Sequence, residues 1–275
     1  MKSFDTLSNA YMFDHDDHAI VEEFHEHTKL SPALDALFKQ RVTLFLRSPA
    51  IRRMVVRAWK TYPGYESVAL PKASLGPMTL EHALRTRRSL SNTSATFGGP
   101  RMTIEALSAI LYFSYGITGS VSMAQPDQPA QPLRASCSAG GLYPLEIYPL
   151  VFHAEGLRAG LYHYAVEDHS LSLLRPDIVP ADLLRHTTSQ QMCEDADVMF
   201  VVTAVFERAL SKYLQRGYRF IMNDAGALLQ SLYLSTTATG LRGCAWGGFC
   251  DDMVGDFVGA DNLNECVVIC FAAGG

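Results

Sequence analysis

Val198-Met-Phe-Val-Val-Thr-Ala-Val-Phe206 is an almost unbroken apolar run, followed by Lys212-Tyr213 and then by a periodic segment from about Arg216 to Thr239. A short apolar run rich in β-branched residues reads as a strand covered on both faces. The periodic segment reads as a long helix, stopped at Gly240. On the N-terminal side, Leu145 to Phe152 is apolar and β-prone, and Gly160 to Val166 with Ser170 to Leu174 reads as a hairpin pair. On the C-terminal side come a Gly-rich loop from Gly240 to Phe249, a short helix from Asp251 to Val258 and a last strand from Val267 to Phe271. Helices and strands mix without a regular βαβ alternation, so the expected class is α+β and not doubly wound α/β.

The N-terminal part has a different texture. Residues 1–70 read as helical, with Ser31-Pro32 opening a helix over Ala33 to Leu46 and Ser48-Pro49 opening another over Ala50 to Trp59. Leu70-Pro71 leads into a second region at residues 71–275. Thr79 to Arg87 is a short helix with Leu80, Ala83 and Leu84 on one face, and Thr103 starts an amphipathic helix ending near Gly116. Asn92 to Pro100 reads as a polar loop. Residues 117–135, with prolines, glutamines and serines and little periodicity, read as a mobile loop.

The chain has 275 residues with 48% hydrophobic residues, which is enough to build a sizeable core. Its net charge of −5 argues against nucleic acid or an anionic membrane as partner. No run approaches the roughly 20 apolar residues of a membrane span, and the start of the chain lacks a signal-peptide hydrophobic region, so a cytoplasmic location is expected. Six cysteines occur without a CxxC pair and read as mostly buried apolar residues, with neither disulfides nor zinc expected. The acidic His cluster Asp14-His15-Asp16-Asp17-His18, with His25 and His27, fits a solvated polar helix start better than a metal site, so no metal is assigned.

Four segments carry candidate chemistry. Arg85-Thr86-Arg87-Arg88-Ser89, at a helix end, offers guanidinium forks and a hydroxyl to an anion, or is a solvated basic terminus. Ser138-Ala139-Gly140-Gly141 lets backbone N–H groups approach a ligand closely, or is a tight turn before a strand. Lys212-Tyr213 pairs an ammonium with a phenol, either of which can act as general acid or base, although such pairs also decorate helix surfaces. Trp246-Gly247-Gly248-Phe249 can pack on a flat ring or form a loop over the core. A basic cluster, a close-approach turn, a Lys-Tyr pair and an aromatic glycine loop together suit a phosphorylated planar cofactor.

The order of these motifs, Arg87-Arg88-Ser89, then Ser138 to Pro144, then Lys212-Tyr213, a long helix and Gly247-Gly248-Phe249, resembles the nitroreductase superfamily and within it the azoline dehydrogenases. The resemblance runs from Leu70-Pro71 to Gly275, with residues 1–70 similar to a variable N-terminal extension. It implies an α+β fold with a central, mostly antiparallel sheet flanked by helices, in a homodimer binding two FMN at the subunit interface. Arg87, Arg88 and Ser89 would hold the FMN phosphate, ribityl chain and pyrimidine edge. Ser138, Ala139 and Gly140 would lie beside the ring, supplied to the other subunit's flavin, and Gly247 and Gly248 would lie along the flavin face. Lys212 and Tyr213 would be catalytic, taking a Cα proton while a hydride leaves a thiazoline or oxazoline for the flavin.

The implied substrate is peptide-like or carrier-bound, delivered beside a cyclodehydratase partner. An NAD(P)H-dependent nitro or quinone reductase and a non-catalytic scaffold subunit are the alternatives. Cys137 replaces the family's usual Pro, Ser91 replaces a common Arg, and Gly274-Gly275 brings no basic side chain where many nitroreductases grip the phosphate. Anchoring of the phosphate is therefore expected to differ.

Overall fold

The computed structural model describes residues 19–51, 59–90, 97–122, 130–186 and 194–275. The cluster at 14–18, Ser91, the first part of the loop at 92–100, Cys193 and most of the helix expected over 50–59 lie outside these residues.

In chain order the elements are α1 (Ala19–His27), α2 (Pro32–Arg47), β1 (Glu66–Ala69), α3 (Leu80–Thr86), α4 (Ile104–Tyr115), β2 (Ile117–Val121) and β3 (Gln131–Arg134). They continue as β4 (Leu145–Val151), β5 (Gly160–Ala165), β6 (Ser170–Pro176), α5 (Pro180–Leu184), β7 (Val198–Val205) and α6 (Glu207–Tyr213). Last come α7 (Gly217–Ala238), β8 (Arg242–Trp246), α8 (Asp251–Val258) and β9 (Glu265–Gly274).

Local chemistry accounts for most of the boundaries. Ser31, Thr79 and Thr103 each accept a hydrogen bond from a backbone N–H of the first helical turn, satisfying donors the helix cannot use itself. Gly240, at φ +79°, lies just beyond α7, where only glycine turns the chain without penalty.

Seven strands form one antiparallel sheet in the order β1-β6-β5-β4-β7-β9-β8. β7 is an inner strand between β4 and β9, and its alternate residues enter different cores. Val198, Phe200, Val202 and Ala204 join Leu107, Ile110 and Leu111 of α4 and Ile221, Leu228 and Leu232 of α7. Met199 and Val201 join Val254 and Val258 of α8 on the other face. That two-sided burial is why the run carries no polar alternation. The expected α+β class and antiparallel sheet are what the fold has.

Five expectations are corrected. Residues 117–135 are not a mobile loop throughout: β2 and β3 pair as a two-stranded sheet, joined through Gln131–Val121 and Leu133–Gly119. The stretch 242–246 is a strand, because it docks on β9 and its residues Gly243 and Cys244 are buried. The N-terminal part is not wholly helical, since Glu66–Ala69 is an edge strand of the main sheet. Cysteines are not mostly buried: Cys244 and Cys270 are, but Cys137 and Cys250 are exposed. On α3, Ala83 is buried while Leu80 and Leu84 face outward.

A buried carboxylate, Glu146 of β4, ties sheet, helix and N-terminal segment together. Its Oε1 meets Arg208 of α6 at 2.6 Å and accepts from the Lys60 N–H at 3.1 Å, and its Oε2 accepts from His163 Nε2 at 2.9 Å. Burial alone would raise its pKa, but the His163 hydrogen bond and the charge of Arg208 outweigh it and bring the pKa down to about 2. Glu146→Gln should lower the unfolding free energy by about 3–5 kcal/mol in urea denaturation at pH 7, because a buried cation loses its partner. A carboxylate with a depressed folded pKa stabilises fully above its unfolded value, near 4.5, and loses that contribution as pH falls toward about 2. The gap between wild type and variant should therefore close over that window.

Candidate active site

The Lys-Tyr pair closes a short helix. α6 runs from Glu207 to Tyr213, and Leu214 ends it with φ +53°, a left-handed conformation that a leucine adopts only under constraint from its surroundings. Lys212 is 6% exposed although its side chain ends in an ionisable amine. Its Nζ lies 4.9 Å above the ring of Phe45 of α2 and at the same distance from the Tyr213 ring, so aromatic faces help compensate for lost water. Tyr213 stacks on Phe38 at 6.0 Å and meets Phe220 edge-on at 4.8 Å.

The glycine turn comes to this pair. Ala139-Gly140-Gly141 forms a single 3-10 turn in which Gly140 has φ +64°. A Cβ on Gly140 would stand 2.4 Å from Lys212 Nζ and 2.4 Å from the Tyr213 hydroxyl. The position requires glycine on both counts, by conformation and by closeness. Two of the four candidate segments thus meet in one place.

Asp224 of α7 holds them there. The Tyr143 N–H donates to Ser138 Oγ at 2.9 Å, Ser138 donates onward to Asp224 Oδ2 at 2.5 Å, and the Ala139 N–H donates to Asp224 Oδ1 at 3.1 Å. Burial raises the Asp224 pKa, with the bonds from Ser138 and Ala139 pulling the other way. Burial, and then the nearby charge of Asp224, raises the pKa of Tyr213. Sequence reasoning passed over Asp224. The available signal was a lone carboxylate inside the apolar stretch Ile221 to Leu228 of a long helix.

Arg87, Arg88 and Ser89 lie elsewhere. Arg87 caps α3 and places its guanidinium 4.9 Å over the Tyr233 ring, while Arg88 donates to the Arg85 and Arg87 carbonyls. Neither has a carboxylate ion-pair partner among the described residues; the nearby Arg85 pairs with Glu81. Ser89 donates to the Tyr233 hydroxyl at 2.9 Å and bridges Gly243 at the start of β8. Gly247 and Gly248 leave the other end of β8, and a Cβ on Gly247 would meet open space. Beside them Trp246 is buried, with its Nε1–H lacking a partner among the described residues.

Both groups hang on α7, through Asp224 and Tyr233. Nine residues apart, they stand about 13 Å apart along the axis and half a turn round it. The single chain therefore carries two clusters: Ser138, Ala139 and Gly140 with Lys212 and Tyr213, and Arg87, Arg88 and Ser89 near β8. Among the described residues no group of three or more His, Cys, Asp or Glu side chains could hold a metal ion. No described helix is long and apolar enough to cross a membrane.

The Nitroreductase family model matches residues 84–274. The protein MJ1384 of Methanocaldococcus jannaschii, assigned in name to the nitroreductases, is 30% identical over 175 residues, covering 64% of this chain and 81% of that protein. The Microcin B17-processing protein McbC of Escherichia coli is 28% identical over 154 residues, covering 54% of this chain and 56% of McbC, so the match spans little more than half of that relative. A chain of the E. coli microcin synthetase McbBCD complex, solved with truncated pro-MccB17 bound, shares the fold with TM-score 0.54 at 20% identity, over 98% of this chain and 96% of that one.

Gly140→Ala should destabilise the fold by about 1–2 kcal/mol from the left-handed backbone alone. The added methyl should also push Lys212 and Tyr213 away from the turn. A lowered urea midpoint, with new chemical shifts at Tyr213 by NMR, is the expected result.

Proposed function

The chain belongs to the nitroreductase family, and we propose that it is an FMN-dependent oxidoreductase that oxidises thiazoline or oxazoline rings to thiazole or oxazole in a peptide-derived natural product. The observation that carries this reading is the contact of Lys212 and Tyr213 with Gly140, a potential acid–base pair set against a backbone turn that only glycine can form. The likeness to McbC, named for processing microcin B17, supports the substrate class.

The residues present suit FMN. Two guanidiniums without carboxylate partners among the described residues stand at Arg87 and Arg88, the donor type that recognises a phosphate or a carbonyl edge. Gly247 faces open space where a flat ring can approach, and the orphaned Trp246 Nε1–H beside it offers a donor. In this reading Arg87, Arg88 and Ser89 hold the phosphate, ribityl chain and pyrimidine edge, and Gly247 and Gly248 line the ring. When bound, FMN supplies the two-electron acceptor for the ring oxidation.

This chain's own residues handle the proton. Tyr213, kept protonated by burial and by the Asp224 charge, donates a hydrogen bond to the substrate, which leaves abstraction of the Cα proton to Lys212, whose Nζ accepts it as the neutral amine. The aromatic rings of Phe38 and Phe45 keep water from both groups. The separation of the two clusters along α7 supports a homodimer in which each flavin draws Arg87, Arg88 and Ser89 from one subunit and Ser138, Ala139 and Gly140 with Lys212 and Tyr213 from the other. Leu80 and Leu84, exposed beside Arg87, give a second copy apolar surface to cover. Residues 71–275 are the FMN-binding domain and residues 1–70 its extension, whose last strand, β1, completes the sheet edge. A cyclodehydratase partner in a biosynthetic complex fits the likeness to the McbBCD assembly.

The purified protein should show flavin absorbance, and Lys212→Ala should retain it while azoline oxidation, followed as a loss of two mass units on a synthetic thiazoline peptide, slows by about 10²–10⁴-fold. Arg87→Ala should weaken FMN about tenfold, the size expected for one lost charge-assisted hydrogen bond. Unimpaired oxidation by Lys212→Ala would sink the role given to that lysine. Rapid flavin reduction by NAD(P)H in stopped-flow absorbance, with no turnover of the thiazoline peptide, would replace this reading with a nitro or quinone reductase.

A further inference from the structure

The N-terminal helices leave two adjoining cavities where they meet the corner between α6 and α7. One, of about 480 Å³, has Tyr213 and Leu214 on one side and Leu30, Leu34, Leu37 and Phe38 on the other. The second, of about 490 Å³, lies between α1 and the first turns of α7, and the two share Thr28 and Arg216. Leu34 and Leu37 stand one helical turn apart on α2 and remain 46% and 50% exposed, so covering them would remove further apolar surface from water.

The charge of this groove is one-sided. Among the described residues no carboxylate lines either cavity, in a chain with a net charge of −5. Arg216, Arg219 and Lys29 stand around it together with His25 and His27. Arg216 donates to the Thr28 carbonyl at 3.2 Å, and Arg219 to Thr28 Oγ at 2.8 Å and the His25 carbonyl at 2.6 Å. These bonds clamp the end of α1, yet neither guanidinium is ion-paired among the described residues. Lys29 pairs with Glu26, an exposed contact at the rim.

We infer that this groove binds an acidic, apolar-anchored segment of the peptide substrate that flanks the reacting ring. An apolar side chain sits over Leu34 and Leu37, and carboxylates of the same segment face Arg216, Arg219 and Lys29. The inference rests on the reading of Lys212 and Tyr213 as catalytic. The ring of Tyr213 forms part of the groove wall while its hydroxyl stands at Gly140, so a chain lying in the groove approaches the pair from this side. The N-terminal extension thereby becomes part of the substrate site.

The test uses fluorescein-labelled ten-residue probes without any azoline, on a Gly-Ser background: one with Leu-Glu-Glu, one with Gly-Glu-Glu and one with Leu-Lys-Lys. Fluorescence anisotropy with the full-length protein as purified should show Leu-Glu-Glu binding at least tenfold tighter than Gly-Glu-Glu at low salt, in the range one buried apolar side chain supplies, and at least tenfold tighter than Leu-Lys-Lys through charge. Its advantage over Leu-Lys-Lys should shrink in 0.5 M salt, where charges are screened within a few ångströms. Leu34→Asp and Lys29→Glu, both at exposed positions, should each cost about tenfold while the circular dichroism spectrum is unchanged. Equal binding of the three probes, or unaltered affinity in both variants, would overturn the inference. Because the probes carry no azoline, selective binding without ring oxidation of a thiazoline peptide keeps the groove and removes the chemistry. Oxidation with indifferent probes does the reverse.

Discussion

The buried carboxylate of Glu146 is the constraint on which the rest of this structure depends. A charge taken out of water is tolerated only when its lone pairs are met, and here Arg208, His163 and the Lys60 N–H meet them from three separate parts of the chain. Arg208 lies one helical turn before Lys212, so the ion pair that docks α6 on β4 also sets where the lysine stands. Arg208 reaches the Tyr143 carbonyl as well, at 3.3 Å, which ties the same helix to the end of the glycine turn. A second carboxylate, Glu265 of β9, repeats the arrangement with Lys60 at 2.6 Å, the Tyr148 hydroxyl at 2.8 Å and Thr203 at 2.6 Å. The segment leading into β1 is thus held by two buried anions.

The helix α7 gives the molecule its functional geometry. Asp224 gathers the Ser138–Gly140 turn at one level, and Tyr233 gathers Ser89 and the Ala245 N–H at another. Both are hydrogen-bonding side chains on a helix that also buries Ile221, Leu228 and Leu232 against the sheet. Their half-turn offset sends the two groups of residues to different sides, so one chain presents two separate clusters. α2 then roofs one of them, with Phe38 and Phe45 two turns apart on one face meeting Tyr213 and Lys212.

Legibility in the sequence followed the range of the forces involved. Helices opened by Ser31, Thr79 and Thr103 were readable because a cap acts within three residues, and β7 was readable because burial on two faces leaves an unbroken apolar run. The segment 242–246 read as a loop because its two small residues, Gly243 and Cys244, pack under Phe271 and Leu90 from distant parts of the chain. β2 and β3 were missed because a polar edge pair carries no burial pattern to read. β1 is short and mostly exposed, and its pairing with β6 is registered over a separation of about a hundred residues.

The sequence by itself determined the types of most elements, the α+β class and the motifs that resemble one family, because hydrophobic period, capping and glycine conformation are local properties. Only the tertiary structure decided which motifs meet. It brought Gly140 to Lys212 and Tyr213, kept Arg87 and Ser89 apart from them, recruited Asp224 as the clamp and laid the N-terminal helices over the lysine. Each of those contacts depends on the docking of α6, α7 and α2, and that docking is set by buried charges and packed cores whose partners lie far apart along the chain.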